Sequence, residues 1–355
     1  MKKEKNKRMI SILKRIAGYI IPYRAYLYLS KHKYALKQVF GLNKSQIANI
    51  DNRLQNVGIF WSDYYISKRP KRESWWQSDL VKRHVNILVA NVDSNILSDG
   101  LNSLLLKRLR GKRLKQGVSV GCGNGDKEIR LLQLNVVEKF ILFELSEEMV
   151  RVVKDKAIRL NLADRIEIRL ENAFLHDFTD VKIDFIHWNN SLHHMFDVPA
   201  AIKWSYDILE SDGVFYMDDY VGPTRFQYSE KAIHIVNEIR DDLPHKYLKS
   251  QYHDGQYFGH YINCDPNIFE TALGDPSEAV DSGRILKSLK DYFPEAEIIL
   301  TGGIIYFVAL GGLYENFDEK NEKDVSVLNT LLERDKNYAQ SLDDMSPYAV
   351  ALAIK

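Results

Sequence analysis

The segment Val118-Ser119-Val120-Gly121-Cys122-Gly123-Asn124-Gly125-Asp126 limits the folds open to this chain more than any other. A short apolar strand runs straight into a turn with glycine at alternate positions, and helical sequence follows. The glycines leave the loop without Cβ bulk, so a nucleotide-like ligand can lie against its backbone amides. About twenty residues on, the spacing of dinucleotide sites, a second apolar strand, Phe140-Ile141-Leu142-Phe143, ends in an acid, Glu144. A carboxylate there can bind both hydroxyls of a ribose. The dinucleotide fingerprint itself, G-x-G-x-x-G/A, is not met. From Gly121 the chain reads G-C-G-N-G-D, and Asp126 stands where the third small residue belongs. A carboxylate at a helix N-terminus repels a pyrophosphate but tolerates a ligand without phosphate.

Around the loop, strands and helices alternate. Strands are predicted at Val118–Val120, Phe140–Phe143, Ile166–Leu170, Asp184–Trp188 and Val214–Asp218, with helices Glu147–Asn161, capped by Ser146, and Val198–Leu209 among them. This alternation implies a mostly parallel sheet covered on both faces. It breaks after Asp218. Tyr220 to Gly274, dense in Tyr, His and Asp, reads as an insertion of the kind that serves as a lid or binding element. Asp275-Pro276-Ser277-Glu278 predicts a helix start, with Asp275 as cap and Pro276 at the first position, running to Tyr292. Glu297–Leu300 and Tyr348–Ile354 read as the last two strands. Ahead of the core, Trp75-Trp76 and the spacing of Leu80, Val81, His84, Val85 and Leu88 predict a helix over the edge of the ligand site. The division is then a basic, aromatic helical extension over residues 1–100 and a ligand-binding domain over 101–355, with its insertion at about 220–274.

A chain of 355 residues that is 45% hydrophobic, with 20 Tyr and 15 Phe, has enough apolar surface for a large core and is not disordered. Its two cysteines, Cys122 and Cys264, make no metal-ligand spacing and no disulfide framework, which fits a reducing cytoplasm. No apolar run has the length to cross a bilayer, and no signal peptide is expected. The formal net charge of +1 conceals an asymmetry: residues 1–40 carry eleven Lys/Arg and one acid, a formal +10, which leaves −9 for the rest. Within that basic end Met9, Ile12, Leu13, Ile16 and Ile20 share one helical face. Such a segment either lies on an anionic membrane surface or docks on the main domain with its lysines in water. The acidic body argues against nucleic acid as its partner.

The runs Gly121-Cys122-Gly123-Asn124-Gly125, Phe143-Glu144-Leu145-Ser146 and Asn189-Asn190-Ser191-Leu192-His193-His194 resemble those of the class I S-adenosylmethionine-dependent methyltransferases. The resemblance is firm from Gly117 to Asp219 and looser to Lys355. It implies a Rossmann-like α/β sheet, mostly parallel, of seven strands with the last antiparallel. Two positions depart from the family: Ser119 stands where many members carry an acid near the cofactor's amino group, and Asn172 replaces another usual acid. An Asn side chain still hydrogen-bonds an adenine edge. Asp219-Tyr220-Val221-Gly222-Pro223-Thr224-Arg225-Phe226-Gln227, with Asp275-Pro276-Ser277-Glu278-Ala279, is also similar to a bacterial subgroup that accompanies glycan biosynthesis.

The resemblance implies S-adenosylmethionine as cofactor and assigns roles. Gly121, Cys122, Gly123 and Gly125 support its methionine and ribose portion. Glu144 and Leu145 meet the ribose, Asn172 and Ala173 flank the adenine, and Asn189 contacts the methionine end. Methyl transfer to oxygen needs a base near neutral pH; His194 and His193 are the candidates, with Asp219 or Asp218 at the neighbouring strand end. Tyr220, Arg225 and His253 are candidate acceptor contacts, Arg225 for an acidic group. No metal is expected, since no set of ligand-type residues has metal spacing. The implied reaction is O-methylation of a sugar, glycan or related small molecule. Its rivals are a non-catalytic binding protein on the same fold and a nucleic-acid methyltransferase. The second is disfavoured by Asn189-Asn190-Ser191-Leu192 where amino-methylating nucleic-acid enzymes carry N/D-P-P-Y/F.

Overall fold

The computed structural model describes residues 57–58, 60–61, 72, 74–251, 255–259, 275–341 and 345–355. The expected amphipathic face at residues 1–40, and His253 with the centre of the insertion, lie outside them. Two helices, α1 (Asp79–Ala90) and α2 (Ser98–Leu109), precede β1 (Leu114–Val120). The glycine loop leads into α3 (Asp126–Gln133), then β2 (Val137–Glu144), α4 (Glu147–Arg159), β3 (Ile166–Leu170), β4 (Ile183–Asn189), α5 (Val198–Ile208) and β5 (Leu209–Tyr220). Next come α6 (Glu230–Asp242), α7 (Ile285–Tyr292), β6 (Glu297–Gly302), α8 (Glu322–Ser341) and β7 (Tyr348–Ile354).

The strands form one seven-stranded sheet in the order β3-β2-β1-β4-β5-β7-β6. β1 to β5 pair in parallel, and β7 runs antiparallel between β5 and β6. Connections from β1 lead outward to β2 and β3 on one side, while β4 and β5 lie on the other. The carboxyl ends of β1 and β4 therefore flank the place where the winding reverses, which is where open α/β sheets bind ligands. Strand β2 shows why this sequence makes an interior strand. Phe140 and Leu142 pack into one core and Ile141 and Phe143 into the other, all of them buried. A run buried on both faces belongs to a covered parallel sheet, and each such side chain contributes about 1.5–3 kcal/mol relative to exposure. On one face lie α1, α2, α3, α6 and α8; α5 and α7 cover the other. Gly117 is required in β1, since a Cβ there would come within 2.5 Å of the Phe140 ring.

Three expectations change. The insertion is not without regular structure, because α6 forms within it, capped by Ser229, whose hydroxyl accepts from Ala232 N. The helix expected from Asp275 begins only at Ile285. Asp275 Oδ1 does accept from Ser277 N at 2.8 Å, as a cap would. The chain then turns away, with Ala279 at φ 48°, because the Arg225 guanidinium grips the carbonyls of Pro276 and Glu278. Finally, no element is predicted over 322–341, where α8 runs for 20 residues and buries Leu328, Leu331, Leu332, Asp335 and Ala339 at helical spacing. Ser146 caps α4 as expected, accepting from Met149 N. Trp75 and Trp76 form a short 3-10 turn ahead of α1, and both reach the edge of the cleft. No helix among the described residues is long and apolar enough to cross a membrane.

Candidate active site

A cavity of about 870 Å³ opens over the carboxyl ends of β1, β2 and β4, within the size range of small-molecule sites. Its polar end is built by the glycine loop. Gly121, Gly123 and Gly125 all have positive φ, 67°, 54° and 70°, a backbone that side chains disfavour. Gly121 N donates to Phe143 O at 2.8 Å, which ties the loop to β2. Glu144 closes it further. Its Oε2 accepts from Gly123 N, and its Oε1 accepts from Leu145 N and Ser146 N, each at 2.8 Å. Burial pushes the Glu144 carboxyl up, against the pull of these three amides. Oε2 carries one protein hydrogen bond and keeps acceptor capacity on the cavity wall.

Of the expected cofactor contacts, Gly121, Cys122, Gly123, Glu144, Leu145, Asn172, Ala173 and Asn189 line this cavity, and Gly125 does not. A Cβ on Gly125 would meet Val153 at 2.9 Å, so its place is to let α3 approach α4. Asn172 Oδ1 accepts from Phe174 N at 3.1 Å, which leaves the amide nitrogen as its free donor group. Ser119, at the position of the missing acid, is buried and donates to Glu128 Oε1 at 2.8 Å. The same oxygen accepts from His187 Nδ1 at 2.8 Å. Burial pushes Glu128 up, but the His187 bond and charge hold it below its ordinary value.

The histidine pair sits on a short turn after β4. Asp219, with no exposed surface, accepts from Ser191 N, Leu192 N and His193 N, and from His193 Nδ1 at 2.5 Å. An ionised carboxylate only accepts, so Nδ1 carries the proton and Nε2 of His193 is the basic atom. That Nε2 lies 3.6 Å from Glu278 Oε1. Burial opposes protonation of His193, but Asp219 first, then Glu278 and Asp275, raise its pKa above the ordinary value. His194 goes the other way: burial, then the charges of His193 and Arg225, hold it well below. Its Nδ1 lies 3.0 Å from Ser277 Oγ, and the two imidazole rings are 4.0 Å apart.

His193, His194 and Tyr220 line the cavity, whereas Asp219 lies behind His193, and Asp218 and Arg225 lie outside the lining. Arg225, expected to meet an acidic acceptor, donates instead to the Pro276 and Glu278 carbonyls. The rest of the wall is aromatic. Tyr220 packs edge-on against Phe226 at 5.0 Å and Tyr348 at 5.7 Å, while Phe307 meets Tyr348 at 5.3 Å and Trp75 meets it at 5.3 Å. Trp61 stands edge-on to His194 at 5.4 Å.

Sequence reasoning misses Lys127, Glu278 and the Phe307–Tyr348 wall. Glu278 reads as a helix-start residue and reaches the site only because Arg225 folds its segment over the cleft. The fold also creates a cluster that spacing does not show: His193, His194 and Glu278 each bring one ligand-type atom within 4.8 Å of the others.

Residues 115–272 match the methyltransferase domain family. The 27-O-demethylrifamycin SV methyltransferase of Amycolatopsis mediterranei (strain S699) is 30% identical over 125 residues, which cover 35% of this chain and 44% of that protein. The chain thus matches less than half the length of that relative. Among solved structures, the [4+2]-cyclase SpnF is 16% identical, with 81% of this chain and 99% of that one covered at a TM-score of 0.43. Geranyl diphosphate C-methyltransferase of Streptomyces coelicolor A3(2), solved with S-adenosyl-L-homocysteine, is 12% identical, with 86% and 99% covered at a TM-score of 0.49. The matched residues hold the glycine loop, the acid-ended second strand and the β4 turn that build the cleft, so this part of the chain is similar to a methyltransferase domain.

Proposed function

We propose that the protein transfers a methyl group from S-adenosylmethionine to a hydroxyl of a sugar, glycan or related small molecule. The observation that carries this reading is the buried Asp219 behind His193, which leaves a basic imidazole nitrogen on the wall of the cavity that the glycine loop opens. When bound, S-adenosylmethionine supplies an electrophilic sulfonium methyl. The chain's own residues do the rest. Glu144 Oε2 accepts from a ribose hydroxyl, Asn172 meets the adenine edge, and the loop glycines admit the ligand against the backbone. His193 Nε2 would take the acceptor hydroxyl's proton as the methyl carbon's bond passes from sulfur to the acceptor oxygen, with the neutral thioether as leaving group, and Asp219 and Glu278 stabilise the imidazolium. The aromatic wall from Trp75 to Phe307 excludes water and offers flat faces to an acceptor. A hydroxyl acceptor also agrees with the O-methylation named for the rifamycin relative.

Calorimetric titration of S-adenosylmethionine into the wild type and Glu144→Ala tests the cofactor half. The variant is expected to bind about 1–3 kcal/mol more weakly, the value of a charge-assisted hydrogen bond. Absence of binding to the wild type would remove the reading. A second test concerns metals. With His193 acting as the base, EDTA is expected to leave the turnover rate within about twofold, the size of an ordinary solvent effect next to the ~10²–10⁴ contribution of a base. Loss of turnover that a divalent ion restores would make the His193, His194 and Glu278 cluster a metal site instead.

A further inference from the structure

Lys127 stands apart from the other side chains of the cleft. It is the second residue of α3, directly after the glycine loop, and it lines the cavity together with Gly121, Gly123 and Asn189. Its ammonium nitrogen is shut off from solvent and has no hydrogen-bond partner among the described residues. Burial draws its pKa below the ordinary lysine value, against the attraction of Asp218, Glu128 and Asp126. Each of these acids is bonded elsewhere. Asp218 Oδ2 accepts from Asn189 Nδ2 at 3.2 Å, Glu128 Oε1 from Ser119 and His187, and Asp126 Oδ1 from Lys156 at 2.5 Å. A buried ammonium without an acceptor is costly unless a ligand completes it. The acids around it attract a positive charge, but none supplies the missing hydrogen bond.

A second observation lies beside it. The residue at the position where the family commonly carries an acid for the cofactor's amino group is Ser119, and its hydroxyl is turned to Glu128. The amino-acid end of the cofactor therefore lacks its usual acidic contact, while a cation without a partner waits on the same wall.

We propose that Lys127 Nζ binds the α-carboxylate of the methionine half of S-adenosylmethionine, so that this chain grips the zwitterionic end by its carboxylate. The proposal rests on the cofactor reading above. Its test compares two ligands by calorimetry: S-adenosylmethionine, and decarboxylated S-adenosylmethionine, which keeps the adenosine, the sulfonium and the amine but lacks the carboxylate. Lys127→Met preserves length and apolar contact. It is expected to weaken S-adenosylmethionine about 10–150-fold, the loss of one charge-assisted hydrogen bond, and to leave the decarboxylated ligand within about twofold or tighter, since the repulsion between two cations is also relieved. Equal weakening of both ligands would mean that the substitution only damages the cleft, and would overturn the proposal. So would an unchanged affinity for S-adenosylmethionine. If the wild type binds neither ligand, the cofactor reading fails and takes this one with it; if it binds both equally well, the cofactor reading stands and the carboxylate contact is refuted. Thermal unfolding of the variant, expected near that of the wild type, separates a local effect from a folding defect.

Discussion

Replacing His193 with alanine is expected to lower kcat by about 10²–10⁴-fold, the contribution of a positioned general base, while S-adenosylmethionine binds within about twofold of its wild-type affinity because the imidazole is not a cofactor contact in this reading. The geometry separates the two effects. The loop and Glu144 hold the cofactor end of the cavity, and His193 stands on the turn after β4, held from behind by Asp219. The pH dependence follows from the charges that face the ring. Asp219, Glu278 and Asp275 favour the His193 imidazolium, while His193 and Arg225 set their charge against protonation of the neighbouring His194. His193 must be neutral to accept a proton, and its pKa is raised. The rate is therefore expected to rise with pH through a value above 6.5 and to stay flat beyond it. Glu278→Gln removes one of the carboxylates and is expected to move that limb to lower pH. A wild-type profile that is flat through this region, or an alanine variant with near-normal kcat, would exclude His193 as the base.

The largest expected effect on stability lies away from the chemistry, at Asp335 of α8. This carboxylate is fully buried, and it accepts from Gly303 N at 2.8 Å and Ile305 N at 2.6 Å. These amides belong to the bend after β6, where Gly302 at φ 87° leaves no room for a Cβ beside Asp335. The bend starts the short π-helical segment Ile304–Ala309, whose Tyr306 and Phe307 buttress the aromatic wall. Asp335→Ala leaves the Gly303, Ile305 and Tyr306 amides without this acceptor and opens a void, and is expected to cost about 2–5 kcal/mol. Denaturant melts would show it as a lower midpoint at unchanged slope. Burial raises the Asp335 pKa to about 7, against the pull of the Ile305, Gly303 and Tyr306 amides. A raised folded value contributes stability that is full below the ordinary aspartate range and is lost as pH rises through about 7. The wild type is thus expected to lose stability over that window through this group, and the variant to lack that part of the slope. A midpoint shifted by less than about 0.5 kcal/mol, the range of an ordinary surface substitution, would contradict the role given to Asp335.

What the sequence makes legible is what short-range pattern determines. Strand β2 is a continuous apolar run because both its faces are covered, so it can be read without a partner. Ser146 is a cap because its oxygen meets an amide three residues on. The segment after Asp275 carries an equally good local signature, yet the helix starts ten residues later. Its carbonyls are held by Arg225, whose position depends on how the chain leaves β5. Helix α8 goes unread although its buried residues keep helical spacing, since Asp335 looks like a solvent residue until the β6 bend needs an acceptor. At the site, the residues that close on ligands from the glycine loop, Glu144 and the histidine turn are adjacent to strand ends and can be found by position. Lys127 and Glu278 cannot, because burial and long-range folding, not spacing, give them their surroundings.

The bonds from Glu144 to the glycine loop bear on how fast a ligand can be captured. Within the loop Gly123 N is held by Glu144, Gly121 N by Phe143 O and Gly125 N by Cys122 O, so the loop has little disorder to lose when a ribose arrives. Capture should then be governed by entry into the cleft, with little slow rearrangement after contact. In a stopped-flow trace such a site shows one phase, linear in ligand concentration, without a plateau set by loop closure.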